Sequence, residues 1–217
     1  MSDFVYAPPN DPPVILYQDE DLVFVNKPSR LLSVPGRGDA LSDCLITRLR
    51  NIFPTILLVH RLDLDTSGVI VFALTPDAQA HLGQQFEARK TRKHYLARVW
   101  GHPTDSEGEV DLPLIVDWPN RPRQMVCHAT GRPALTEWKL LKRDPDGTAR
   151  LRLIPRTGRT HQLRVHMQAI GHPILGDTLY ADGAARDFPR LMLHAHSLRL
   201  NHPRIGHGLT ITAPPPF

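Results

Sequence analysis

Residues Val69 to Leu74 form an unbroken apolar run, and the residues before it read His60-Arg61-Leu62-Asp63-Leu64-Asp65-Thr66-Ser67-Gly68. A short continuous apolar run bounded by turn residues reads as a buried strand. The polar stretch is then a loop feeding that strand. Loops held by rigid strands are where catalytic groups tend to sit. Glu is absent from this loop, so Asp63 and Asp65 are its short-reach acids. The chemistry they allow is that of a carboxylate with a cation, Arg61, close by.

The rest of the chain supplies the frame. Ile56 to Val59 reads as a strand on the other flank of the loop. Val14 to Tyr17 and Leu22 to Val25, split by Gln18-Asp19-Glu20-Asp21, predict a hairpin. Leu41, Leu45, Leu49 and Ile52 recur at helical spacing, with Asp39 or Ser42 as the cap and Pro54 as the stop. Thr75-Pro76 starts a second helix, with Thr75 as N-cap and Pro76 at the first helical position. Its inner face is Ala78, Leu82 and Phe86, and it ends in the cluster Arg89, Lys90, Arg92 and Lys93.

His94 to Trp100 alternates as a strand, with Tyr95, Ala97 and Val99 on one face. Residues 104–135 read as hairpins and loops. Leu135 to Lys142 and Ala149 to Ile154 are strands joined by the turn Asp144-Pro145-Asp146-Gly147. Thr160 caps a helix that turns Leu163, Met167 and Ile170 inward and stops at Gly171. Leu191 to Leu200 and Gly208 to Thr212 are the last strands. Runs of strands with few helices predict an α+β fold, a mainly antiparallel mixed sheet flanked by helices and loops. No internal repeat and no linker divides it. The expected organisation is a mobile N-terminal arm over residues 1–13 and one catalytic domain over residues 14–217.

Composition narrows the function classes. No apolar run approaches the roughly 20 residues of a membrane span, and residues 1–13 lack the pattern of a signal peptide. Two cysteines, Cys44 and Cys127, imply no disulfide framework; a cytoplasmic protein with reduced thiols is expected. The net charge of +4 and an isoelectric point near 9.3 favour an anionic partner, nucleic acid first. The 12 histidines raise the question of metal, yet no HExxH or CxxC pattern occurs. His161 and His166 miss the i, i+4 spacing that sets two ligands on one helix face. No metal is expected.

Each candidate has a structural role beside the functional one. Asp65 lies in turn chemistry, bonding nearby backbone amides. Asp63 is either half of a salt bridge with Arg61 or a reacting group. Arg164 either supports its helix or pairs with a carboxylate, keeping it ionised and oriented. Tyr95 is either core or a stacking platform with a hydroxyl handle. The basic segments Arg89 to Lys93 and Arg121 to Arg123 are either solvated surface or phosphate contacts.

Together these residues resemble the RluA family of pseudouridine synthases. The HRLDxDTSG loop of that family is matched by His60 to Gly68. Its tyrosine strand is matched by Lys93-His94-Tyr95-Leu96-Ala97, and its Gly-Arg-x-His-Gln-Leu-Arg segment by Gly158 to Arg164. Asn26-Lys27-Pro28, Gly171-His172-Pro173-Ile174-Leu175-Gly176-Asp177 and Leu193-His194-Ala195 also fit, over a span from about Val14 to the C-terminus. One departure is Arg30, where the family's Asn-Lys-Pro-x-Gly pattern has Gly; a changed loop with unchanged chemistry is expected. Trp100-Gly101-His102-Pro103 and the run from Asp111 to Pro122 carry a finer likeness to a dual-specificity branch acting on large-subunit rRNA and tRNA.

The resemblance implies a catalytic domain of the pseudouridine synthase type. Longer relatives carry an S4-type RNA-binding domain ahead of it, and none is expected here. It implies Asp63 as the essential aspartate, Tyr95 stacking on the target uracil, Arg164 paired with Asp63, and Arg61 entering the RNA in place of the flipped base. His60, Arg89, Lys93, Arg121 and Arg123 are added as expected RNA contacts. No cofactor is implied. The partners implied are rRNA and a tRNA anticodon stem-loop, with no membrane, and a monomer is expected. Two other classes compete. A non-catalytic RNA-binding protein would bind RNA unchanged with Asn at position 63, and a metal-dependent phosphodiesterase would lose activity to a chelator.

Overall fold

The computed structural model describes residues 5–217. In chain order the strands are β1 (Val14–Gln18), β2 (Leu22–Lys27), β3 (Leu57–Leu58), β4 (Ser67–Ala73), β5 (Arg92–Trp100), β6 (Glu107–Asp111), β7 (Leu114–Val116), β8 (Gln124–Val126), β9 (Leu135–Arg143), β10 (Thr148–Pro155), β11 (Leu193–Asn201) and β12 (Gly208–Thr212). The helices are α1 (Leu45–Arg50), α2 (Pro76–Glu87), α3 (Gln162–Ala169) and α4 (Gly183–Arg186). The α+β expectation holds.

The chain divides into two compact units, Met1–Arg92 with Ala195–Pro214, and Lys93–His194 with Pro215–Phe217. No composition break marked them, because the boundaries fall at the start of β5, inside β11 and in the C-terminal tail.

In the first unit, β1, β2 and β4 pair antiparallel, with Leu22 opposite Ala73 and Asn26 opposite Val69. β3 also pairs with β4, and β11, beside β4, pairs with β12. Val69, Val71 and Ala73 face a core of Leu22, Phe24, Ala78, Leu82, Leu198 and Leu200. Ile70 and Phe72 point the other way and are equally buried, which is why this strand lacks a polar alternation. α2 starts as its sequence dictates: the Thr75 hydroxyl accepts from the Ala78 N–H, and Pro76 follows at a position where its missing donor is harmless.

The first helix is shorter than its periodicity suggested. Residues 39–41 form a 3-10 turn, and α1 begins after Cys44, capped reciprocally by Thr47 and not by Asp39 or Ser42. The N-terminal arm, expected to be mobile, is tethered from Tyr6 onward. Its hydroxyl donates to the Asp43 carbonyl at 2.8 Å and accepts from the Leu32 N–H at 3.1 Å, while Arg48 holds the Pro9 carbonyl at 2.7 Å. The part of the arm before Val5 lies outside the described residues.

In the second unit, β5, β10, β9 and β6 form an antiparallel sheet in that order. The inward face carries Ala97, Val99, Trp138, Leu151 and Leu153, packed with Leu163 and Met167 of α3. Gly108 lies under Trp138: a Cβ there would come within 3.0 Å of the indole. β7 and β8 form a separate two-stranded hairpin. α3 differs from expectation at its start. Its N-cap is His161, at φ 53°, and not Thr160. It is buried on nearly every side, because its polar residues find internal partners. His166, for example, donates from Nε2 to the Leu112 carbonyl at 3.0 Å and accepts from the Thr136 hydroxyl at 2.9 Å.

Candidate active site

The loop from His60 to Gly68 is held from one side by the segment that follows β2. Lys27 is fully buried, and its ammonium donates to the carbonyls of Leu31 at 2.6 Å, Leu64 at 2.9 Å and Pro28 at 3.0 Å. Ser29 donates to the Asp65 carbonyl at 2.7 Å, and Ser33 donates to the Leu62 carbonyl at 2.8 Å while the Leu62 N–H returns to it. The backbone on both sides of Asp63 is therefore pinned, and its carboxylate is presented half-buried. A buried ammonium is tolerated here because its three donors meet three oxygens. Arg30 takes φ 63°, a left-handed conformation that glycine adopts most readily, so the Gly of the family pattern is explained and this chain holds an arginine in its place.

His60 was expected to meet RNA. Within the fold its Nε2 accepts the Val71 N–H at 3.2 Å, and the ring stacks on Phe86 of α2 with centroids 4.5 Å apart. Asp65 was expected to cap backbone amides. The turn is closed instead by the Thr66 N–H donating to the Asp63 carbonyl at 3.2 Å, and the Asp65 carboxylate makes no hydrogen bond among the described residues. Arg61 is exposed, and its side chain has no hydrogen-bond or ion-pair partner among the described residues. Gly68 ends the loop at φ 114°, where an added Cβ would lie 2.2 Å from the Ala195 carbonyl oxygen.

In the second unit, Tyr95 is half-buried on β5 opposite Leu153, against the apolar core. Arg164 is 4 % exposed and forms a bidentate pair with the fully buried Asp177, Nε to Oδ2 and Nη2 to Oδ1, both at 2.7 Å. The fork geometry fixes the guanidinium plane. Asp177 also accepts the N–H groups of Leu179 and Tyr180. The Tyr180 ring lies 5.1 Å from the Arg164 guanidinium and 5.3 Å from that of Arg123. Its hydroxyl accepts the Gln124 N–H at 2.7 Å and donates to His161 Nδ1 at 2.8 Å. Burial pushes this phenol up to about 12, so it stays a donor at every working pH.

Lys93 is half-buried beside Gly158, and burial pushes its ammonium below the usual lysine range. Arg89 is exposed just past α2 at φ 55°. Arg121 lies over the exposed Trp118 ring at 4.3 Å, at the tip of the β7–β8 hairpin, and Arg123 leads back from it. Sequence reasoning missed Lys27, Ser29, Ser33, Asp177 and Tyr180. The one signal for them was their place in or beside the ordered motifs, which named no partners. Among the described residues, one trio with metal-ligand atoms in mutual reach, Asp19, Asp21 and His202, is already engaged: His202 bonds Asp19, and Arg204 pairs with Asp21.

Comparison with known proteins gives this geometry a family. The sequence profile of the family described as RNA pseudouridylate synthase matches residues 21–169. The chain is 56% identical over 214 residues to the dual-specificity RNA pseudouridine synthase RluA of Escherichia coli strain K12, covering 98% of each chain. It is 49% identical to the protein of the same name from Pasteurella multocida strain Pm70, again over 98% of each. Among solved structures, human RNA pseudouridylate synthase domain containing 1 aligns with a TM-score of 0.80 at 32% identity, covering 97% of this chain and 87% of the human one. With the motif loop, the tyrosine strand and the arginine helix all within this match, the chain belongs to the RNA pseudouridylate synthase family.

Proposed function

We propose that this enzyme converts uridine to pseudouridine in structured loops of large-subunit rRNA and of tRNA anticodon stem-loops, with Asp63 as the essential carboxylate. The observation that carries the assignment is the pinning of the Asp63 backbone by Lys27, Ser29 and Ser33. A carboxylate held this way meets a reacting atom without reorganising. The two-RNA substrate range is supported by the finer sequence likeness and by the dual specificity named in the RluA relatives.

The reaction breaks the bond from uracil N1 to the sugar carbon, turns the ring, and joins C5 to that same carbon. One proton leaves C5 and one arrives at N1, so atoms balance without a co-reactant. Asp63 serves as nucleophile or base. Tyr95 stacks on the freed uracil. Arg164, its guanidinium plane fixed by Asp177, is the cation that the family resemblance assigns to the essential aspartate, and an arginine in that role keeps a carboxylate ionised and oriented. The target base must leave its stack before reaction, and Arg61, exposed on the loop, fills its place. Arg89, Lys93, Arg121 and Arg123 contact phosphate. The working form is a cytoplasmic monomer; no helix among the described residues is long and apolar enough to cross a membrane.

The test is pseudouridine formation in a transcribed anticodon stem-loop and an rRNA hairpin, with EDTA present. Wild type and Asp65→Asn are expected to convert uridine, and Asp63→Asn to bind RNA without converting it. Conversion by Asp63→Asn, or its loss in all three with binding intact, would overturn the assignment.

A further inference from the structure

Outside the motif loop, the first unit carries a notch lined by Lys90, Arg92, Arg199, Leu200 and Asn201. Its three cations converge on one cavity, and none has a hydrogen-bonded or ion-paired carboxylate among the described residues. Helix capping does not explain them. The last carbonyls of α2 are satisfied by backbone donors: Gln84 by the Ala88 N–H at 2.9 Å, Phe86 by Arg89 at 3.2 Å and Gln85 by Lys90 at 2.8 Å. The walls of the notch are fixed to each other. Buried Gln85 donates from its side-chain amide to the Asn201 carbonyl at 2.7 Å and accepts the Asn201 N–H at 2.8 Å, which ties the end of α2 to the end of β11. Arg199 lies flat across Gly208, where a Cβ would approach its Nη2 to 3.2 Å.

Like charges gathered on a rigid frame repel one another unless an anion sits among them. The notch also has a structural tie to the motif loop. Phe86, on the last turn of α2 and four residues before Lys90, is the ring on which His60 stacks. We propose that this notch is a phosphate site for the backbone of the substrate RNA, with Arg199 and Lys90 as its principal contacts. The proposal rests on the reading of Asp63 as the reacting group of an RNA enzyme, and it adds a binding site in which Arg199, a residue of β11, belongs to none of the sequence motifs. The three cations are exposed, and they stand on a backbone frame that Gln85 and Asn201 hold together. They contribute affinity and register, not base recognition.

The experiment is a salt titration of binding to the anticodon stem-loop transcript, read by fluorescence anisotropy. It uses wild type, Arg199→Gln, Arg199→Lys, the triple variant Lys90→Gln/Arg92→Gln/Arg199→Gln, and Arg50→Gln as a control that removes an exposed cation elsewhere in the same unit. Arg199→Gln is expected to reduce the slope of log K against log salt by about 1 and the triple variant by about 2 to 3, with weaker binding in proportion. Arg199→Lys is expected to recover most of the slope, and Arg50→Gln to leave it at the wild-type value. A slope unchanged in the triple variant, or changed equally by Arg50→Gln, would overturn the site. Conversion by wild type on the same transcript is scored separately. Its absence counts against the pseudouridine reading, whereas a flat slope with conversion intact counts against the notch alone.

Discussion

Replacing Lys27 by Met tests how the reacting loop is held. Met fills the volume of the lysine stem but offers no donor, so the carbonyls of Pro28, Leu31 and Leu64 lose their partner in a site with no solvent access to the lysine. A buried acceptor left unsatisfied costs about 1–3 kcal/mol. The low end applies, because removing the ammonium also removes the penalty of burying a charge. Three carbonyls at about 1 kcal/mol each give a loss of roughly 3 kcal/mol. For a chain of this length each kcal/mol lowers Tm by about 2–4 °C, so Lys27→Met is expected to melt about 6–12 °C below wild type. The Leu64 carbonyl adjoins Asp63, so the loop shifts as well. A displacement of about 1 Å at a reacting group costs on the order of 100-fold in rate. Thermal melts and single-turnover pseudouridine formation read the two effects. A Tm within about 2 °C of wild type, with the rate retained, would refute the claim that this ammonium holds the loop.

Two further outcomes follow from buried polar groups in the second unit. Asp177→Ala strands the Arg164 charge and orphans the N–H groups of Leu179 and Tyr180. It is expected to lose about 3–5 kcal/mol in urea unfolding, and a loss under about 1 kcal/mol would contradict the buried pair. His166 is fully buried and its pKa is lowered, mainly by burial. The unfolded chain therefore takes up its proton at higher pH than the folded one. The stability this difference provides is present in full above the ordinary histidine range, near pH 6.5, and declines as pH falls below it. Wild type is expected to lose Tm between about pH 7.5 and pH 5 more steeply than His166→Asn; parallel melting profiles would show that His166 is not the group responsible.

Much of the frame was legible in the chain because its signals are local. The β1–β2 hairpin, Thr75-Pro76 at the start of α2, the turn at Asp144 to Gly147 and the last strand at Gly208 to Thr212 each depend on residues a few positions apart. Local signals failed where a distant partner competed. Cys44 displaced Asp39 and Ser42 as the cap of α1, whose first N–H groups, those of Leu45 and Ile46, are taken by the distant carbonyls of Leu32 and Ser33. His161, at φ 53°, displaced Thr160, and its Nδ1 bonds Tyr180, which is 19 residues away. The two compact units left no compositional trace, since the chain crosses between them within or beside strands.

The same division runs through the candidate site. By itself the sequence determined which residue types stand in the motif loop, on the tyrosine strand and on the arginine helix, and hence the family to which the chain belongs. Tertiary structure alone decided what holds them. Lys27 reaches Leu64 across 37 positions, Gln124 reaches Tyr180 across 56, and Gln85 reaches Asn201 across 116. A buried donor takes whichever acceptor the folded chain brings within about 3 Å. That choice depends on the packing of elements far apart in sequence, and no local pattern of residues encodes it.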